Sequence, residues 1–329
     1  MSDTPFAAVA RPPGASWPAG LRIAVLLPCY NEAAAIAGVV RNFARALPTA
    51  RIFVFDNAST DATAAQAVEA GAQVRHVALA GKGNVVRRMF ADVDADVYVL
   101  ADGDDTYHAP SAARLIDELL GRSLDMVVGT RVHQAAEAYR PGHRLGNRML
   151  TAAMGSIFGG SFSDMLSGYR VFSRRFVKSF PAMSQGFEIE TELTIHALEL
   201  RMPYAEVATP YGVRPEGSTS KLRTWSDGAR ILATILRLFA VEKPFRFYAL
   251  LALLLALLAL GLAVPLILTW WQIGLVPRLP TAVLSAGIGI LSGLSLTAGL
   301  ILETVTIGRR ETRHLHYLAS GPAPIDLLE

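Results

Sequence analysis

The chain has 329 residues, of which 31 are Lys or Arg and 28 are Asp or Glu, and 52% are hydrophobic. The near balance of charge excludes a polyanion and a strongly basic nucleic-acid binder, so no nucleic-acid partner is expected. The hydrophobic fraction lies above the roughly 45–50% of soluble domains, which indicates that part of the chain lies in a membrane. The single cysteine, Cys29, excludes an intramolecular disulfide and is typical of a reducing compartment.

Residues 1–20 are rich in Pro, Gly and Ala and are predicted to form a disordered leader. They lack the basic and then apolar pattern of a signal peptide. The domain that follows is therefore expected to stay in the cytoplasm.

From residue 21, short β-rich runs alternate with longer Ala-rich segments. Strands are predicted at Leu21–Pro28, Arg51–Asp56, Gln73–Val77, Val97–Ala101 and Asp125–Gly129. Helices are predicted at Glu32–Leu47, Asp61–Ala70, Gly83–Asp92 and Pro110–Leu120. This alternation favours an α/β domain with a doubly wound, mostly parallel, Rossmann-like sheet. Ligands of such sheets bind at the carboxyl ends of the strands.

Beyond residue 130 the alternation stops, and Arg140–Phe158 is predicted to be a helix. A second helix is predicted at Trp225–Val241, with polar residues recurring at helical spacing. From Lys221 to Arg246 there are six Lys or Arg and two Asp or Glu. A basic amphipathic helix of this kind is expected to lie in the headgroup plane of a membrane. Alternatively, it packs on its own domain.

Two stretches without any charged residue follow, residues 247–277 and 279–302, which are 31 and 24 residues long. Both exceed the roughly 20 residues that a helix needs to cross a bilayer. Basic residues flank the pair at both ends, whereas the connecting loop has only Arg278. The positive-inside rule then predicts both termini in the cytoplasm and the short loop outside. The Ala- and Arg-rich composition favours a bacterium, and hence its inner membrane.

The predicted organisation has five parts. It consists of the leader at 1–20, a sheet domain at 21–220, a basic juxtamembrane helix at 221–246, a two-helix membrane anchor at 247–307 and a cytoplasmic tail at 308–329.

Acidic residues follow the fourth predicted strand, in Asp102-Gly103-Asp104-Asp105. Mg²⁺ and Mn²⁺ are typically held by one or two carboxylates together with substrate phosphates, which is the chemistry that this cluster offers. Alternatively, the cluster is an acidic surface turn.

Two further polar segments lie at strand ends or helix starts. Asp56-Asn57-Ala58-Ser59-Thr60-Asp61 ends the second strand and offers carboxylate and amide groups to a base or ribose, or else merely caps the next helix. Gly81-Lys82-Gly83-Asn84 begins a helix, where backbone N–H groups and a lysine favour an anion.

Together with Pro28-Cys29-Tyr30-Asn31-Glu32, these motifs resemble, in order and spacing, the inverting GT-A glycosyltransferases of family 2. Downstream segments resemble the polyprenyl-phosphate glycosyltransferases, a group that includes dolichyl-phosphate mannose synthases and bacterial undecaprenyl-phosphate glucosyltransferases. Those segments are Gly129-Thr130-Arg131, Arg144 with Asn147, Asp164 to Arg170, Glu190-Thr191-Glu192 and Ser218 to Lys221. The resemblance covers about residues 20–245 and implies a GT-A fold. Thr106 departs from the mannose synthases, which often have Gln there.

The resemblance also implies roles for individual residues. The expected catalytic residues are Asp104, Arg131, Arg144 and Asp164, of which the two arginines would meet the phosphates of acceptor and donor. The expected substrate-binding residues are Pro28, Asn31, Glu32, Asp56, Lys82, Asp102, Asn147, Ser167, Arg170, Glu190, Glu192, Arg214 and Lys221. Asp102 and Asp104 would hold Mg²⁺ or Mn²⁺ and the donor diphosphate.

The implied reaction transfers a sugar from a UDP- or GDP-sugar to a polyprenyl phosphate, undecaprenyl or dolichyl, at the cytoplasmic membrane face. The second pKa of a phosphate monoester is about 6, so this nucleophile needs no strong general base. Two alternatives remain: a catalytically inactive membrane-bound binding or scaffold protein, and a processive polysaccharide synthase. Two helices cannot enclose the channel of a synthase, and the Gln-x-x-Arg-Trp motif usual in that class is absent. A homo-oligomer is also possible.

Overall fold

A computed structural model describes residues 17–18, 20–133, 155, 162–186, 188–212, 232–233 and 236–321. The chain divides into two compact units. The sheet unit comprises Met1–Leu232 and Arg313–Glu329, and the helical unit comprises Ala233–Thr312.

The described residues of the sheet unit form a seven-stranded sheet with the order β3-β2-β1-β4-β6-β5-β7. The strands are β1 (Ile23–Cys29), β2 (Arg51–Asp56), β3 (Gln73–His76), β4 (Val97–Leu100), β5 (Met126–His133), β6 (Arg170–Ser173) and β7 (Tyr204–Tyr211). Only β6 runs antiparallel to its neighbours, β4 and β5, while the other pairs are parallel. The predicted mostly parallel α/β sheet is thus confirmed.

Helices cover both faces of this sheet. They are α1 (Ile36–Ala46), α2 (Thr63–Glu69), α3 (Lys82–Asp92), α4 (Ser111–Gly121), α5 (Arg174–Ser179) and α6 (Ile189–Glu199). Because side chains alternate along a strand, β1 contributes Val25 and Leu27 to one core and Ala24 and Leu26 to the other. The other six strands run in one direction and place their carboxyl ends at one edge of the sheet, whereas β6 runs the opposite way.

The spacing of apolar residues explains how the helices pack. In α1, Ile36, Val39, Val40 and Phe43 are buried, which is one helical face at intervals of three and four residues. Upstream of the sheet, Trp17 packs against the same core and donates from Nε1 to Asp117 at 2.7 Å, although the sequence placed it in the disordered leader.

Two helices are long and apolar enough to cross a membrane, α7 (Pro244–Ile273) in the helical unit and α8 (Leu279–Ala319), which belongs to that unit up to Thr312. Their mean hydropathies over an 18-residue window are 2.9 and 1.7. Small residues recur at every seventh position of α8, and the first three contact α7. Ser285 donates from its hydroxyl to Ala259 O, Ser292 donates to Ala252 O, and Gly299 lies against Tyr248. The fourth, Thr306, donates to Val241 O, which precedes α7. This seven-residue repeat keeps one stripe of each helix in contact.

Two predicted helices cannot be compared with the structure. Arg140–Phe158 and most of Trp225–Val241 lie outside the described residues.

Candidate active site

A cavity of about 570 Å³ opens at the carboxyl ends of the strands, within the sheet unit. It is lined by Pro28, Cys29, Tyr30, Glu32, Asn57, Ala58, Ala80, Gly81, Lys82, Val85, Asp102, Gly103, Asp104, Tyr107, Arg131, Leu166, Glu190 and Tyr211. Four of these residues carry carboxylates and two carry cationic groups, so the lining has an excess of negative charge. Seven of the residues that the sequence singled out are among them: Pro28, Glu32, Lys82, Asp102, Asp104, Arg131 and Glu190.

The loops that follow β1 and β2 are bound tightly to each other. Asn31 donates from its backbone N–H to Ser59 Oγ at 2.9 Å, and its Oδ1 accepts from the N–H of Thr60 at 2.8 Å. Glu32 donates its N–H to Thr63 Oγ1 at 2.8 Å. Asn31 and Ala58 have left-handed backbone angles, with φ of 52° and 58°, which is uncommon for residues other than glycine. These loops are therefore held in one conformation by their own polar groups.

Asp56 and Asn57, at the end of β2, have different partners. Asp56 Oδ2 lies 3.2 Å from His76 Nδ1, and both carboxylate oxygens accept from the N–H of Ser59. The amide of Asn57 donates to the carbonyls of Val77 and Leu79 and accepts from the N–H of Gly81 at 2.7 Å. Asn57 therefore fixes the loop that leads to Lys82, a role that the sequence motif did not predict.

Lys82, at the first turn of α3, is held by two carboxylates. Its Nζ lies 2.5 Å from Asp102 Oδ1 and 2.6 Å from Glu190 Oε1. Burial of Lys82 opposes its charge, but Asp102 and Glu190 raise the pKa of the ammonium group above its ordinary value. The second oxygen of Glu190, Oε2, is buried and has no hydrogen-bond partner among the described residues.

Asp104 is 3% exposed, and its Oδ1 accepts a hydrogen bond from Thr106 Oγ1 at 2.6 Å. Among the described residues, no group of three or more His, Cys, Asp or Glu side chains converges as a complete metal site. The hard oxygen ligands of Asp102 and Asp104 nevertheless fit Mg²⁺ or Mn²⁺, because such ions commonly take one or two carboxylates and complete their shell with substrate phosphates. The excess negative charge of the cavity lining agrees with that fit.

Arg131, near the end of β5, forms a two-pronged ion pair with Asp164. Its Nε and Nη2 donate to Asp164 Oδ2 and Oδ1 at 2.7 and 2.6 Å. Burial opposes the charge of Arg131, but the bonds to Asp164 raise its pKa. The guanidinium also lies 5.7 Å from the ring centre of Tyr211. Asp164 thus orients Arg131 and does not itself line the cavity.

Tyr107 and Tyr211 line the cavity but were missed in the sequence. Their ring centres lie 5.3 Å apart, and Tyr107 Oη accepts from the N–H of Gly168 at 2.8 Å. Burial and the charge of Asp102 raise the pKa of Tyr107, so its hydroxyl stays protonated. The position of Tyr107, three residues after Asp104, was the only available signal, since Tyr211 comes from the distant β7.

Gly168 lies where a side chain would not fit. A methyl group there would come within 2.9 Å of Asp102 Oδ2 and 3.1 Å of Lys82 Nζ. The glycine therefore lets the backbone approach the ion pair directly.

Five other residues that the sequence singled out, Asn31, Asp56, Ser167, Arg170 and Glu192, do not line the cavity. Arg170 is fully buried and donates to the carbonyls of Ser167 and Met165 and to Thr194 Oγ1. Burial lowers the pKa of Arg170 to about 10. Glu192 accepts from the N–H groups of Met183 and Ser184 at 2.8 and 2.7 Å. In this structure, Arg170 and Glu192 support the walls around the cavity. The resemblance implied that both residues bind the substrate.

Glu192 fixes a segment that covers the start of α3. The N–H of Gly83 donates to Gln185 O at 3.0 Å, and a side chain at Gly81 or Gly83 would collide with the backbone of Ser184 or Gln185. The turn that carries Lys82 is thus packed backbone to backbone.

Four expected site residues, Arg144, Asn147, Arg214 and Lys221, lie outside the described residues. Cys29 is buried, and burial raises the pKa of its thiol well above the ordinary value. A protonated thiol is a poor nucleophile, in agreement with a packing role.

Comparisons with known proteins bear on the same region. A model of the family described as Glycosyl transferase family 2 matches residues 24–180. An uncharacterised protein of Shigella flexneri is 57% identical over 155 residues, covering 47% of this chain and 95% of that protein. Glycosyltransferase AglJ of Haloferax volcanii is 33% identical over 297 residues, covering 88% of this chain and 95% of that protein.

Among solved structures, the chain is similar to glucosyl-3-phosphoglycerate synthase from Mycobacterium tuberculosis in complex with Mn²⁺, UDP-glucose and phosphoglyceric acid. The match has a TM-score of 0.56 and 25% identity, and it covers 68% of this chain and 81% of that one.

Proposed function

Because the chain belongs to glycosyltransferase family 2, we propose that it transfers a hexose from a nucleotide-sugar to a polyprenyl phosphate, with inversion at the anomeric carbon. The observation that carries the lipid acceptor is the presence, in the same chain as the family 2 domain, of two helices long and apolar enough to cross a membrane. An enzyme anchored in this way meets lipid-linked acceptors at the membrane surface.

A phosphate acceptor agrees with the chemistry of the cavity. The acceptor oxygen is already largely dianionic at pH 7, so no residue has to remove its proton. Cys29, the only thiol in the chain, has a raised pKa and would not supply a nucleophile. What the reaction needs is positive charge that aligns the phosphate for in-line attack, and Arg131, fixed by Asp164 and Tyr211, offers it at the cavity wall.

The donor would bind along the loops after β1, β2 and β4. Pro28, Glu32 and Asn57 offer a preformed wall for the nucleoside. Asp102 and Asp104 would hold Mg²⁺ or Mn²⁺ together with the diphosphate. When bound, this cation would neutralise charge on the leaving nucleoside diphosphate. The solved relative with Mn²⁺ and UDP-glucose supports a metal and a uridine donor as the first choices to test.

The test is an assay of the purified full chain in detergent with undecaprenyl phosphate, dolichyl phosphate and a panel of radiolabelled UDP- and GDP-sugars. We expect label to move into the organic phase with one polyprenyl phosphate, and to stop when EDTA removes divalent cations. Release of free sugar with every donor, without any labelled lipid, would contradict the lipid acceptor. A sample without polyprenyl phosphate measures that background hydrolysis.

We further propose that the sheet unit faces the cytoplasm of a bacterium. Lys243 and Arg246 precede the first apolar stretch, and Arg309, Arg310 and Arg313 follow the second. This distribution of basic residues favours a cytoplasmic location for both ends of the helix pair. An alkaline phosphatase fused after Arg278 should be active, and one fused at the C-terminus should be inactive. The reverse pattern would show the opposite orientation.

A further inference from the structure

Lys82 occupies a carboxylate oxygen that the proposed function gives to a metal ion. Its Nζ lies 2.5 Å from Asp102 Oδ1, so the ammonium group contacts this carboxylate directly. The side chain of Lys82 is only 9% exposed, so little water screens this pair. A divalent cation that binds Asp102 Oδ1 must therefore displace or move the ammonium group.

Glu190 makes the ammonium group harder to move. It holds Lys82 Nζ at 2.6 Å through Oε1 and is itself 4% exposed. The backbone also restricts Lys82, because Asn57 and Gln185 bind the N–H groups of the flanking Gly81 and Gly83. Lys82 is thus fixed at a site where its charge already neutralises Asp102.

We propose that Lys82 is a built-in competitor of the divalent cation, and that the donor diphosphate removes this competition by drawing the ammonium group away from Asp102. The inference rests on the proposed function, since it assumes that a metal and a nucleoside diphosphate share this cavity. A lysine ammonium is a point charge on a flexible stem, so it can exchange a carboxylate for a phosphate without a change in the backbone.

The consequence is that metal and donor strengthen each other's binding. Without nucleotide, the cation has to compete with Lys82 for Asp102. With the diphosphate present, the ammonium group of Lys82 exchanges Asp102 for a phosphate and keeps its contact with Glu190, so Asp102 becomes available. Coupling of this kind is reciprocal, so the metal must raise donor affinity by the same factor.

The experiment measures Mn²⁺ binding to the full chain in detergent, by the EPR signal of free Mn²⁺. Titrations are made without nucleotide and with whichever of UDP and GDP gives tighter Mn²⁺ binding. In the unmodified protein we expect the nucleotide to tighten Mn²⁺ binding by about tenfold or more. In Lys82→Gln, Mn²⁺ binding without nucleotide should be about tenfold tighter than in the unmodified protein, and the nucleotide should add less.

Two further variants make the result specific. Lys178→Gln removes the same charge from α5, away from the cavity lining, and should bind Mn²⁺ as the unmodified protein does. The double variant Lys82→Gln, Asp102→Asn should not show the tighter Mn²⁺ binding of Lys82→Gln, because the carboxylate oxygen that Lys82 releases belongs to Asp102. A merely structural role of Lys82 would weaken Mn²⁺ binding in Lys82→Gln, along with thermal stability.

The outcomes separate the inference from the proposed function. Equal or weaker Mn²⁺ binding by Lys82→Gln without nucleotide would overturn the competition. The inference would also fall if the gain survived the loss of Asp102. Absence of Mn²⁺ binding to the unmodified protein with either nucleotide would instead contradict the metal site of the proposed function.

Discussion

The sheet unit and the helical unit are stabilised in opposite ways. Charged groups at the carboxyl edge of the sheet form specific ion pairs, such as those of Arg131 with Asp164 and of Lys82 with Asp102 and Glu190. In the helical unit, small residues of α8 contact α7 every seven residues, at Ser285, Ser292 and Gly299.

This difference predicts how each region tolerates change. A partner in a buried ion pair cannot be replaced, because its loss leaves the other charge uncompensated. One of the repeated contacts between α7 and α8 can be lost with a small change in the free energy of unfolding, because the remaining contacts keep the two helices in register. Single substitutions should therefore have large effects at the sheet edge and small effects between the helices.

The largest effect is expected for Asp104→Asn. The neutral amide is a poorer ligand for a hard cation, while its side-chain oxygen can still accept from Thr106, so the fold should persist. We expect turnover to fall by about 100-fold or more, which corresponds to about 2.7 kcal/mol of barrier. Steady-state kinetics with saturating Mn²⁺ measure this, and circular dichroism checks the fold. Asp105→Asn, which keeps its contact with Asn42, serves as the control. Normal turnover of Asp104→Asn would argue against the metal assignment.

Arg131→Lys should follow, with a loss of about tenfold or more in turnover. Lysine keeps the charge but cannot present the planar fork that Asp164 holds. Asp164→Asn should lower turnover to a similar extent, because it weakens the ion pair that orients Arg131. Donor affinity should change little in both variants, which kinetics with donor and acceptor varied separately will show. A collapse of donor affinity would assign Arg131 to the donor diphosphate instead.

Gly168→Ala should have an intermediate effect. The new methyl group would press on Asp102 Oδ2 and on Lys82 Nζ, so the KM of the donor should rise severalfold and turnover should fall less. The matched control is Gly38→Ala in α1, where the nearest atom, Asp105 Oδ2, lies 3.9 Å away. If Gly168→Ala has the same kinetic constants as this control, then donor binding does not depend on the exact position of the ion pair between Lys82 and Asp102.

Tyr317→Phe should affect stability and leave catalysis unchanged. Within the sheet unit, Tyr317 Oη donates to Asp125 Oδ2 at 2.8 Å, and the guanidinium of Arg175 lies 5.0 Å from the tyrosine ring centre. Asp125 is fully buried, so loss of one donor should cost about 1–2 kcal/mol in the free energy of unfolding. Thermal unfolding of the full chain measures this. Leu318→Ala, at an exposed neighbour, should leave the melting temperature unchanged.

The smallest effect is expected for Ser292→Ala in the helical unit. Its hydroxyl donates to Ala252 O at 2.7 Å, and hydrogen bonds between membrane helices average about 0.6 kcal/mol. Ser295→Ala is the control, since that hydroxyl donates to the carbonyl of Leu291 in its own helix. If Ser292→Ala lowered the free energy of unfolding by several kcal/mol, the contact between α7 and α8 would depend on single residues, as the sheet edge does.

The first half of the fold was predictable because its pattern is local. The strand Arg51–Asp56 is observed as predicted, and the other early strands and helices differ mainly at their ends. α1 begins at Ile36, although a start at Glu32 was expected, because the N–H of Glu32 donates to Thr63 at the start of α2. Such long-range contacts leave no periodic signal.

The later elements could not be predicted for a different reason. In α6, ten of eleven residues are buried, so no amphipathic stripe marks it as a helix. β6 is only four residues long, and its antiparallel position between β4 and β5 follows from tertiary pairing. β5 was expected to end at Gly129 but continues to His133 because it pairs with β7 along its whole length.

The site shows the same difference between local sequence patterns, which could be predicted, and contacts that form only in the folded protein. Asp102, Asp104 and Lys82 could be predicted because acidic residues at a strand end and glycines at a helix start have direct chemical meaning. Tyr211 could not be, because it reaches the cavity from a strand with no motif. The partners of Arg170, the carbonyls of Ser167 and Met165, could not be predicted either, because a sequence motif does not reveal whether a charged side chain points to a ligand or to buried carbonyls.

The burial of Cys29 makes this chain convenient for spectroscopy. As the only thiol, 3% exposed and with a raised pKa, it should react slowly with maleimide or methanethiosulfonate reagents under native conditions. A cysteine introduced at an exposed position such as Met183 would then be labelled almost alone. Fluorescent or nitroxide probes could thus report on the segment beside Lys82 in the otherwise unmodified protein, without prior removal of a native cysteine.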